Sequence, residues 1–208
     1  MAPYIIIAII AYAIGSINFS VLFSRKFAGF DVREKGSGNA GTTNMLRTVG
    51  KRAALLTLIC DILKGIVSIL IALLIGRIVE QVDKALLVQI AALCVVLGHT
   101  FPIFFEFKGG KGIATSLGIL LIINWQIGLI CLIFALALIA LTQMVSAGTV
   151  SAAILFPILS LFIGKEFFIV DGNYFVFSLI LALFVIFNHR KNIKRILDGN
   201  ENKISFKK

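Results

Sequence analysis

The 208-residue chain is 59% hydrophobic and only 14% charged, with a mean hydropathy of +1.02 and a formal net charge of +10. A soluble domain carries about a quarter charged residues, so this excess of apolar surface calls for lipid as its solvent. Block-like apolar runs of about 20 residues match a hydrocarbon core about 30 Å thick and point to membrane helices, whereas the short alternating segments of a membrane β-barrel are not seen.

The N-terminal run, 3–23, has no preceding basic region and no small-residue cleavage signature, so it is expected to stay as a first span. Further spans are expected near 53–75, 85–103, 113–124, 127–142, 147–163 and 174–188. The fourth and seventh would cover only about 18–23 Å at 1.5 Å per residue, which keeps a five-span variant with a re-entrant hairpin open. The expected fold class is all-α: a polytopic integral membrane helix bundle of about seven spans, forming one domain over 1–208. Its loops would lie near 35–52, 104–116 and 188–201. Asp61 and Lys64 fall inside the second span at i, i+3, close enough to pair; they read either as a structural ion pair or as part of a polar site. Cys60, Cys94 and Cys131 lie within apolar runs without the close pairing of zinc or redox motifs, and are expected to be core or lipid-buried thiols.

Basic residues are unevenly distributed. Arg25, Lys26, Arg33, Lys35, Arg47, Lys51 and Arg52 separate the first two spans, Lys108 and Lys111 follow the third, and seven more lie after 188. Arg77, Lys84 and Lys165 mark the opposite side. The positive-inside rule then predicts an outside N-terminus and a cytoplasmic C-terminus, so the charge reads as topology rather than nucleic-acid binding.

Three polar clusters share the predicted cytoplasmic side. The first runs from Lys35 to Asn44 and on to Arg47. Gly36, Gly38 and Gly41 let the backbone turn tightly and present N–H groups to an anion; Ser37, Asn39, Thr42, Thr43 and Asn44 could add donors and Arg47 a bidentate clamp. In the second, Gly98-His99-Thr100-Phe101-Pro102 leads to Gly109, Gly110 and Gly112 around Lys111, just before a helix start that also suits phosphate. It is not a Walker A loop, because Lys111 is followed by glycine. His99 reads as a core histidine. In the third, Asn188 to Arg195 is followed by Gly199-Asn200-Glu201, and continuing helix would put His189 and Asn192 on one face. Taken singly these are a turn, a pair of topology anchors and a lipid-headgroup patch. Together they favour a composite site for more than one phosphate.

The strings 36–44, 98–102 with 107–112, and 189–195 resemble, in order and spacing, the three motifs of bacterial acyl-phosphate:glycerol-3-phosphate acyltransferases, over nearly the whole chain. That resemblance implies transfer of an acyl group from acyl phosphate to glycerol 3-phosphate, giving 1-acylglycerol 3-phosphate and inorganic phosphate. This would be the first acylation of bacterial phospholipid synthesis, at the cytoplasmic face of the inner membrane. By motif position it implies catalytic roles for Ser37, Lys111, His189 and Asn192. Substrate binding would fall to Gly36, Gly38, Asn39, Thr42, Asn44, Arg47 and Gly110, although Thr42 stands where the family commonly has alanine. A serine before the sixth span is also implied, which either Ser146 or Ser151 could supply. No cofactor or metal is expected, and the partners are the two substrates and membrane lipid. The His-x4-Asp pattern of acyl-CoA-dependent acyltransferases is missing: Ile103 and Ile193 stand four residues after the two histidines. A transporter or channel for an organic phosphate is the alternative from another class, although the polar residues gather at one interface rather than at a midplane.

Overall fold

The computed structural model describes residues 1–163 and 174–204, and among these residues it contains helices and no strands. Helices stand at every position expected from the sequence: α1 (Ala2–Gly15), α2 (Phe19–Ala28), α3 (Thr42–Thr48), α4 (Lys51–Ile78), α5 (Lys84–Thr100), α6 (Ile113–Ile123), α7 (Trp125–Thr142), α8 (Val145–Phe162), α9 (Tyr174–Asn188) and α10 (Arg190–Leu197). Among the described residues five apolar stretches are long enough to cross a membrane, counting α1 with α2 as one, and α9 with α10 makes a sixth bent by 63°. The expected fourth span is the 11-residue α6. Lys165 and the last two lysines of the tail lie outside the described residues.

The first expected span, 3–23, is broken. Ser16 Oγ donates to Tyr12 O, and Asn18 starts a new helix by accepting from Val21 N–H. Lys64 Nζ donates to the carbonyls of Gly15 and Ile17 at 3.2 Å each, satisfying oxygens that a continuous helix would have used itself. A polar residue at 16 or 18 is too weak a signal to end an apolar run; the cation that stabilises the break comes from another helix.

Contacts sort the chain into two compact units, Met1–Ile123 and Asn124–Lys208. In the first, α1 packs on α5 and α4 on α6, through glycines that allow backbones to touch: Gly98 meets the Tyr12 carbonyl and Gly118 the Ile62 carbonyl. Helix α4 shows the membrane pattern plainly. Leu55, Ile59, Leu63, Leu70 and Leu74 are exposed along one stripe, while Thr57, Asp61, Lys64, Gly65, Ser68 and Ala72 are buried. The apolar side faces outward and the polar side inward, as lipid requires. Asp61 and Lys64 form the anticipated pair at 2.9 Å. In the second unit α7 packs on α8 with Gly148 against the Ala135 carbonyl. Helix α8 packs on α9 through Phe156, Tyr174 and Phe177 and a Ser160–Ser178 hydroxyl contact of 2.9 Å.

Candidate active site

In the first unit two glycine loops adjoin. The loop before α3 is shaped by Asn44, which is 1% exposed. Its amide donates to the carbonyls of Val32 and Lys35 at 2.9 and 3.0 Å and accepts from Ser37 N–H at 2.9 Å. Both amide hydrogens of Asn44 are thus engaged with the loop itself. Gly36 and Gly38 adopt φ of 63° and 71°, and a Cβ on Gly36 would run into the Asn44 side chain. The turn leaves Ser37 exposed and Asn39 partly buried, with Arg47 exposed on α3.

The second loop, 101–112, is anchored to the end of α5: Gly109 N–H donates to Thr100 O and Gly110 N–H to His99 O, each at 3.0 Å. Gly110 lies against the His99 ring and the Ala40 carbonyl, so this loop touches the first, and Lys111 stands just ahead of α6. Arg33 adds a brace. It donates to Phe105 O at 2.8 Å while its guanidinium forks onto Asp31, with Nε at 3.0 Å and Nη2 at 2.8 Å. Burial pushes the Asp31 carboxyl up, but hydrogen bonds from Arg33 and Arg25 outweigh it and bring the pKa down to about 2.

The second unit assembles the other candidates around the α9–α10 bend. His189 is 3% exposed, with Nδ1 2.8 Å from Val185 O and Nε2 3.3 Å from Thr149 Oγ1. A carbonyl only accepts, so Nδ1 carries the proton and Nε2 is the acceptor in the neutral ring. One turn on, Asn192 Nδ2 donates to Glu201 Oε1 at 2.7 Å; Ser146 Oγ donates to the same oxygen at 2.9 Å and Arg195 Nε to Oε2 at 2.8 Å. The Glu201 side chain is only 3% exposed. Burial alone would raise its pKa, but the Arg195, Asn192 and Ser146 hydrogen bonds prevail and hold it below the usual glutamate range.

The structure thus gathers Gly36, Ser37, Gly38, Asn39, Thr42, Asn44, Arg47, Gly110 and Lys111 on two adjoining loops and α3. It gathers Ser146, His189 and Asn192 at the α9–α10 bend and the start of α8. Of the two serines, Ser146 bonds into this group; Ser151 lies five residues along α8, more than a turn away. Sequence reasoning missed Glu201 and Thr149 as site components. One of two carboxylates in an otherwise basic tail, with Asp198, was the available signal for Glu201, and nothing local marked Thr149.

A family model described as glycerol-3-phosphate acyltransferase matches residues 5–199. A glycerol-3-phosphate acyltransferase of Clostridioides difficile (strain 630) is 44% identical, over 99% of this chain and 97% of that protein. One of Thermoanaerobacter sp. (strain X514) is 42% identical, over 98% and 96%. Among solved structures, the glycerol 3-phosphate form of PlsY (YgiH), an integral membrane glycerol 3-phosphate acyltransferase, superposes with a TM-score of 0.86 at 32% identity. It covers 97% of this chain and 96% of that one. The lysophosphatidic acid form of the same enzyme gives 0.84 at 30% identity, over 97% and 95%.

Proposed function

The chain belongs to the glycerol-3-phosphate acyltransferase family, and from that premise we propose that it transfers an acyl group from an acyl phosphate to glycerol 3-phosphate. The products are 1-acylglycerol 3-phosphate and inorganic phosphate, and the reaction opens phospholipid synthesis at the cytoplasmic face of a bacterial inner membrane. The observation that carries the reading is the pair of adjoining glycine loops, with Lys111 at the start of α6 and Arg47 on α3. Backbone N–H groups beside cations suit phosphate, and both substrates carry one.

An acyl phosphate is already activated by its leaving group, so the protein has mainly to position, neutralise charge and supply donors where the oxyanion develops. A hydroxyl oxygen of glycerol 3-phosphate attacks the acyl carbonyl carbon. Its proton passes to His189 Nε2, with the substrate hydroxyl taking the place of the Thr149 hydroxyl there. The bond from the carbonyl carbon to the phosphate oxygen breaks, and the phosphate leaves with a proton returned from His189. By motif position, the resemblance assigns Arg47 to the glycerol 3-phosphate anion, Lys111 to the departing phosphate, and hydrogen-bond donation to Ser37 and Asn192.

Transfer is direct, because neither loop offers a nucleophile backed by a base. Purified protein given a long-chain acyl phosphate and glycerol 3-phosphate should release phosphate with sequential kinetics and keep full activity in a chelator. Ping-pong kinetics, a trapped acyl-enzyme, or activity lost to the chelator and restored by a divalent metal would each overturn direct transfer.

A further inference from the structure

A buried polar cluster in the first unit takes no part in the chemistry above. Asp61, Lys64 and His99 are 2%, 4% and 6% exposed, and Asp61 Oδ1 lies 2.9 Å from Lys64 Nζ and 3.6 Å from His99 Nδ1. Lys64 and Asp61 neutralise one another, and Lys64 also holds the end of α1 through Gly15 and Ile17. His99 is needed for neither task. A polar ring inside a membrane-spanning helix is costly unless it is used, so its second edge is informative. That edge faces the Gly109–Gly112 loop: a Cβ on Gly110 would run into Nε2, and the loop's first two N–H groups bond to the carbonyls of Thr100 and His99 itself. The residue after Gly110 is Lys111.

We propose that His99 is a positioning residue for Lys111. The Asp61 carboxylate faces the Nδ1 side of the imidazole across 3.6 Å, a charge contact longer than a hydrogen bond, and the other side of the ring is the surface against which the loop is set. Glycine at 110 is then required by the ring, and the height of Lys111 above the end of α5 is fixed by a group that never touches substrate. The inference rests on the acyl-transfer reading for its assay, and on the geometry of the first unit alone for its cause.

A double-mutant cycle on the full chain tests it. His99→Ala should lower kcat/KM by about 10- to 100-fold, the scale expected when a binding group is displaced by about an ångström. In a Lys111→Ala background the same change should cost less than about threefold, because the group it positions is gone. His99→Asn, which keeps a donor near the Nδ1 position, should recover part of the loss. Equal losses in both backgrounds overturn the proposal, as does His99→Asn being as impaired as His99→Ala in correctly folded protein. If His99→Ala does not fold, His99→Gln, which fills most of the ring's space, takes its place in the same cycle. A wild-type protein inert toward acyl phosphate removes the acyl-transfer reading instead. The cycle is then read on glycerol 3-phosphate binding by calorimetry, with the same two outcomes.

Discussion

His189 and Arg47 present two opposite ways of preparing a side chain. The His189 ring is held at both nitrogens, and the Val185 carbonyl selects the tautomer whose Nε2 can take a proton. A positioned base of this kind contributes about 10²- to 10⁴-fold, so His189→Ala should lower kcat by that range; a loss under tenfold would reduce it to a packing residue. Arg47 is exposed on a short helix, and the role proposed for it uses the planar fork of its guanidinium on an anion. Losing a charged hydrogen bond commonly costs about 1.5–3 kcal/mol, or roughly 10- to 150-fold. Arg47→Lys should fall in that range and raise KM for glycerol 3-phosphate, since a point charge cannot reproduce the fork. Unchanged kinetics in Arg47→Lys would take this residue out of the site.

Among the elements, α8, α10 and the tail depend on one carboxylate. Glu201 accepts from Ser146 on α8 and from Asn192 and Arg195 on α10, so it ties three segments together beside the backbone bond from Ile204 N–H to Gln143 O. Its pKa lies below the ordinary range, so the ionised form is favoured in the folded protein. The sign follows: the stability this adds is fully present above the ordinary glutamate range and is lost as pH falls through the folded value. Thermal midpoints of wild type and Glu201→Gln should differ most at neutral pH and converge under acid, and Glu201→Gln should also lose activity, because an amide NH2 in place of Oε2 cannot accept from Arg195 and loosens the tail that holds Asn192. A gap between the two proteins that stays constant with pH would contradict this account. The Asp31–Arg33 brace obeys the same rule and is lost as pH drops from about 4 toward 2.

At the scale of the whole molecule, the distribution of cations predicts an orientation for the chain. Lys35 and Lys203 are predicted to face the cytoplasm and Lys84 the outside. Single cysteines at these positions in a variant lacking Cys60, Cys94 and Cys131 should label accordingly with a membrane-impermeant reagent. Labelling of Lys35→Cys from outside intact cells would reverse the topology and move both glycine loops to the wrong face for a cytoplasmic substrate.

Helix positions were legible from the sequence because lipid demands long apolar runs and leaves little else to interpret; α4, α5, α7 and α8 begin and end within a few residues of the expected spans. The glycine turns were legible too, since tight loops leave local marks at Gly36, Gly38 and Gly112, which take positive φ. What could not be read was anything decided between distant segments. The break between α1 and α2 is stabilised by Lys64, 47 residues beyond Ile17. Asn44, expected as a donor, gives both amide hydrogens to the loop it shapes. Ser146 is separated from Ser151 by a carboxylate 55 residues away, and Thr149 joins His189 across 40. Composition and periodicity set which residues each helix can bury, but which buried polar group meets which is settled only by packing, because a partner for a buried polar group comes from whichever distant segment is folded against it.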